Sequence, residues 1–198
     1  MKKLIKPIIF IAIMAILNSC VITQEFDFES DFSGNFAYTI ELAQMDAYMG
    51  NEDSTDYFAS LNKDSIIQAY SAVKGISNVQ VTTTTTSYTV RYSFKDLESL
   101  SQSLKLEDRG IVDEQYKYKK RKFTYENKGF ESQSAQNDSL MEMYEYINII
   151  SKYHFKQVIK ESNKGEVSAD GHGLYMEQNM KELIKPNQLT NLEVLFKK

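Results

Sequence analysis

The 198-residue chain has no tryptophan, one cysteine, two histidines and only two prolines. A single cysteine excludes a disulfide framework within the chain and any zinc site built mainly from thiolates. Few prolines and eight glycines leave no Pro/Gly/Ser-rich linker to divide it, and no internal repeat is evident. It contains no G-x-S-x-G elbow, no Walker A loop and no S-x-x-K set with its usual companions, so these motif-borne chemistries are absent. Long apolar runs are missing too. The longest, Ile8 to Leu17, covers roughly 15 Å as a helix, whereas a bilayer core needs about 20 residues.

That short run has basic residues before it (Lys2, Lys3 and Lys6) and the tetrapeptide Leu17-Asn18-Ser19-Cys20 at its end. A charged n-region, an apolar h-region and a small residue before the cleavage point form an export signal. Leu17, Asn18 and Ser19 before Cys20 resemble the lipobox of bacterial lipoproteins, with Asn18 a less usual middle residue and Pro7 a less usual one in the apolar stretch. The resemblance implies that residues 1–19 are removed and that Cys20 is lipidated; no cofactor is expected. An ordinary secretory signal is the alternative, but it strands an unpaired thiol outside the cell. Val21 follows the cysteine, and without Asp at that position the sorting logic points to the outer membrane. The leaflet, periplasmic or surface, stays open.

Removing nineteen of 198 residues leaves 179, with 20 basic against 27 acidic side chains and a net charge near −7. One domain with its own core is the expectation, covering residues 20–198. Such a charge opposes nucleic-acid binding, which needs a positive field.

Alternation with period two marks strands. Phe26 and Phe28, then Phe36, Tyr38, Ile40 and Leu42, predict a hairpin turning at Ser33-Gly34-Asn35. Asn62 is placed to cap a helix carrying Ile66, Ile67, Tyr70 and Val73, ended by Gly75. Strands follow near 77–83 and 88–94, then a helix capped by Asp96 with Leu97, Leu100 and Leu104 buried. Strand-like segments near 116–125 precede a third helix bearing Leu140, Tyr144, Ile147 and Ile150. Tyr153, Phe155 and Ile159 suggest another strand. Two short strands around a helical turn at 180–184 close the chain. The fold class is α+β, mainly antiparallel sheet with about three helices on one face, and a ferredoxin-like core as a refinement.

The chemistry-bearing residues are few. His154 lies between Lys152 and Lys156 on a solvent-facing strand side, and His172 lies in the turn Asp170-Gly171-His172-Gly173; neither reads as a metal ligand. Asp27, Glu29 and Asp31 faintly match oxygen-ligand spacing for calcium but lack the required glycine and terminal glutamate. No metal and no catalytic residue is expected, and the chain does not read as an enzyme. Lys117, Lys119, Lys120, Arg121 and Lys122 form the one basic cluster. It suits either contact with anionic headgroups or lipopolysaccharide phosphates, or an edge strand whose lysines deter edge-to-edge pairing.

Phe26-Asp27-Phe28, the stretch Ser33 to Ile40, Gly75 to Val79 and Tyr88 to Phe94 together resemble small envelope lipoproteins. A more distant likeness to the LppM-type lipoprotein domain implies an α+β fold associated with lipid binding. The reading that results is a lipid-anchored envelope module, attached to the membrane through its N-terminal lipid. An apolar ligand, a lipid or an envelope protein is its partner. A carboxylate-dependent hydrolase of envelope polymers and a structural part of a surface adhesin are the alternatives.

Overall fold

A computed structural model of the chain describes residues 20–42, 58–107, 114–127, 145–183 and 191–198. The proposed signal segment, with Leu17, Asn18 and Ser19, lies outside the described residues, as do Leu140 and Tyr144. The chain opens with β1 (Cys20–Phe28) and β2 (Gly34–Leu42), then α1 (Lys63–Ser71), β3 (Ile76–Thr83) and β4 (Ser87–Phe94). Next come α2 (Leu97–Leu104), running into a 3-10 turn (Lys105–Glu107), then β5 (Gln115–Lys119) and β6 (Lys122–Glu126). The last part holds β7 (Ile147–Phe155), β8 (Ile159–Ser162), β9 (Glu166–Val167), β10 (Gly173–Asn179), α3 (Met180–Leu183) and β11 (Leu192–Phe196).

The fold is α+β and mainly antiparallel, built on two sheets. Seven strands form one sheet in the order β3-β4-β2-β1-β7-β10-β9, and four form the other in the order β5-β6-β11-β8. Seven strands, with β1 and β7 parallel at the centre, extend well beyond a four-stranded ferredoxin-like sheet.

The parallel register pairs Phe26 with Tyr153 and Phe28 with Phe155. Side chains in register on one face stack, and these rings do so at 4.7 and 5.1 Å with planes within 8° of parallel. Phe123 of the second sheet inserts edge-on, 5.2 Å from both Phe28 and Phe155, and Phe196 meets Phe155 at 5.0 Å. Edge-to-face and offset pairs of this kind contribute about 0.5–1.5 kcal/mol each beyond area burial. The sandwich is therefore closed by aromatic rings, all of them buried.

The β1–β2 hairpin turns at Glu29 to Ser33, earlier than its sequence predicts. Gly34 is drawn into the ladder opposite Phe28, because a Cβ there would lie 1.9 Å from the Asp27 carbonyl oxygen. Phe32 takes the left-handed backbone (φ 62°), a cost offset by burying its ring against Tyr118 at 4.1 Å.

Asn62 and Asp96 cap α1 and α2 as expected, accepting from the amides of Ser65 (3.0 Å) and Ser99 (2.8 Å). Leu100 and Leu104 bury the inner face of α2, and Ser103 holds the Tyr92 hydroxyl at 2.7 Å. Gly75 takes the left-handed backbone (φ 87°) but does not end α1: the helix stops at Ser71 with Ala72 as a right-handed cap, and Gly75 lies three residues further on, in the turn into β3.

Ile147 and Ile150 belong to β7, not to a third helix. Three β-branched isoleucines and a parallel partner favour extended backbone over the helical spacing they also fit.

Candidate functional site

Cys20 is the first residue of β1, paired with Leu42 on one side and Ile147 on the other. Its backbone N–H donates to the Tyr146 carbonyl at 2.9 Å. Partial burial pushes the Cys20 thiol up, so a free thiol there is a poor nucleophile. Leu42 and Ile147 lie opposite it, Ile22 and Ile40 follow two positions on along the same face, and Val21 on the other face pairs with Glu41 and Asn148.

The basic cluster forms the β5–β6 hairpin. β5 is an edge strand, and Lys117 and Lys119 stand exposed on it. Lys120 and Arg121 fill a two-residue turn between the paired Lys119 and Lys122, with φ 52° and 67°. Two successive positive φ values define the turn geometry that favours Asn-Gly, and each non-glycine residue held there costs about 1–2 kcal/mol. Lys122 is ion-paired to Glu193 at 2.6 Å and Lys117 to Glu126 at 3.1 Å.

A third feature was not foreseen from sequence. The face of the seven-stranded sheet turned away from the sandwich holds a shallow concavity of about 570 Å³. Register builds it. One row runs Gln80, Arg91, Ala37, Glu25, Lys152; the next runs Ser93, Asn35, Asp27, His154. Small, buried Ala37 forms the floor between Arg91 and Glu25. A bulge in β3 sets Asn78 in the left-handed region (φ 56°), where its amide donates to Ser93 at 3.3 Å. The Ser93 hydroxyl in turn donates to Asn35 at 2.8 Å.

Across the parallel β1–β7 pair, Glu25 meets Lys152 (2.9 Å), Asp27 meets His154 (3.1 Å), and Glu29 beyond the strand end meets Lys156 (3.7 Å). Asp31 instead accepts from the Ser33 hydroxyl and amide, which hold its carboxyl below the usual range. The three acids that faintly matched calcium spacing thus have three different partners, and among the described residues no cluster of three metal-ligating side chains occurs. No ion pair to Arg91 occurs among the described residues.

His154 is exposed on its strand, as the sequence indicates, and its ring lies 6.3 Å from that of His172. His172 donates from Nδ1 to the Phe155 carbonyl at 2.9 Å, which fixes its tautomer when neutral. Asp170 accepts from the Ser168 hydroxyl and the His172 amide, and these hold its carboxyl low. The loop from Ser168 to Gly173 is thus internally bonded, with the Ser168 hydroxyl donating to Asp170 and accepting from the Gly173 amide.

No helix among the described residues is long and apolar enough to cross a membrane. No family model matches the chain, and no curated protein matches it. Among solved structures it is similar to the NMR structure of the LppM folded domain of Mycobacterium tuberculosis, at 10% identity and a TM-score of 0.50. The likeness covers 91% of this chain and 90% of the other. The distant resemblance to the LppM lipoprotein domain is therefore present in the fold.

Proposed function

We infer that the chain is a lipid-anchored, non-enzymatic module of the cell envelope that holds a partner on the outer face of its large sheet. The position of Cys20 carries this reading: the only cysteine, preceded by a lipobox-like tetrapeptide, is the first residue of a central strand. Two or more acyl chains give stable anchoring, and none of the chain's slack separates them from the fold. Acylation of the Cys20 nitrogen leaves one N–H, enough to keep its bond to the Tyr146 carbonyl. The likeness to LppM supports the lipoprotein reading, and the absence of Asp at position 21 supports the outer membrane.

An envelope partner with polar groups fits better than an apolar ligand. Rings of Phe28, Phe123, Phe155 and Phe196 fill the space between the sheets. Arg91, Asn35, Ser93 and Gln80 line the concavity outside them. The hydrolase alternative has less to work with, since Glu25 and Asp27 each face a basic partner. The adhesin alternative needs a long regular edge, but β9 has two residues and β3 carries a bulge.

Fractionation of cells expressing Cys20→Ala tests the anchor. The wild-type chain is expected in the membrane fraction and the variant in the soluble one; retention of Cys20→Ala in the membrane would sink the reading. Protease treatment of intact cells then separates the periplasmic from the surface leaflet.

A further inference from the structure

The basic hairpin lies at the pole opposite Cys20. β1 runs nine residues from Cys20 to Phe28, about 26 Å at roughly 3.3 Å per residue. Along it, Tyr116 meets Phe26 at 5.7 Å, Tyr118 stacks on Phe32 beyond the strand end, and the turn Lys119 to Lys122 follows. The end of β11 reaches the same place: the Phe196 amide donates to the Arg121 carbonyl at 3.0 Å, so Lys197 and Lys198 follow beside the turn.

Lys119, Lys120, Arg121, Lys197 and Lys198 form no ion pair among the described residues. The acids nearby are already engaged: Glu193 by Lys122, Glu29 by Lys156, and Asp31 by Ser33. Edge deterrence needs charge on the strand, which Lys117 and Lys119 supply. It gives no reason for cations at the two turn positions whose left-handed backbone suits Asn-Gly. Exposed cations on a strained turn, with no ion pair among the described residues, are the kind of outlier from which a binding role is inferred.

We propose that this tip docks a polyanionic polymer chain on the side facing away from the anchoring membrane. The direction rests on the reading of Cys20 as the anchor; the charge argument stands without it. Lys and Arg displace counterions from a chain of regularly spaced anionic groups, so the contact is salt-dependent. The anchoring bilayer is not the occupant, because the lipid commits that surface to the opposite pole.

Detergent-purified full-length protein titrated with long-chain inorganic polyphosphate tests this. The wild type is expected to bind, more weakly as salt rises. The double variant K120N/R121G is expected to lose roughly tenfold or more in affinity while its thermal midpoint rises, because Asn-Gly suits the turn. K197E/K198E, which leaves the turn untouched, is expected to weaken binding as well. Unchanged affinity in both variants, or preference for phosphatidylglycerol vesicles over polyphosphate, would overturn the proposal. Full-length Cys20→Ala is expected to bind polyphosphate like the wild type, so a failed anchor and a failed tip give different results.

Discussion

Phe28 shows how one residue couples both layers. It has no exposed area, stacks on Phe155 within its own sheet, and receives Phe123 from the other, with Phe32 and Phe94 closing around it. Truncation removes a ring that no neighbour can replace without leaving its own strand. Phe28→Ala is expected to cost about 3–5 kcal/mol, seen as a lowered urea midpoint with little change in slope. Gly34 acts by the opposite route, through the atom it lacks. Its missing Cβ lets β2 close against the Asp27 carbonyl, and that requirement, not turn conformation, explains the glycine.

At the scale of elements, α2 depends on its cap. Asp96 accepts from the amide and hydroxyl of Ser99, and these bonds hold its carboxyl below the usual carboxylate range. A depressed folded value means the stabilisation is fully present above the unfolded pKa of about 3.9 and is lost as pH falls through the folded one. Asp96→Ala is expected to cost about 1 kcal/mol at pH 7, and its deficit against the wild type should shrink on acidification. A deficit independent of pH, measured by denaturation from pH 7 to 3, would refute the ionised cap. Such local signals were readable beforehand: caps, Gly75 and the β1–β2 alternation each depend on residues a few positions apart. Alternation reveals which face a residue takes, but not which strand lies beside it. The pairing of β1 with β7, with Asp27 and His154 as one contact, joins segments 127 positions apart and leaves no mark in either. The concave face was hidden for the same reason. Its members come from five strands, and each reads alone as an ordinary solvent-facing position. Cys20 and the lysine cluster were visible because each is contiguous in sequence, though not that they lie at opposite poles.

For the whole molecule, strand order sets a gradient of stability. β1 is paired on both sides over its full nine residues, while β9 has two residues and β5 sits on the edge of the smaller sheet. Native-state hydrogen exchange is expected to protect amides of Phe26, Phe28 and Tyr153 most, and those of β5 and β9 least. Equal protection across both sheets would contradict a sandwich centred on β1. The gradient places the most rigid strand directly on the proposed lipid attachment.

The parallel ladder also bears on the order in which the structure assembles. β1 and β2 can pair early, since only the short turn from Glu29 to Ser33 separates them. The other edge of β1 must wait for β7, and the small sheet waits longer still, for β11 at the end of the chain. Contacts that close such long loops form slowly, and an unpaired strand edge is a template for wrong partners in the interval. An anchor at Cys20, as proposed above, would keep that open edge close to the membrane and to other copies held there. Closing the open edge of β1 with residues 147–155 is therefore the late, exposed step in the assembly of this fold.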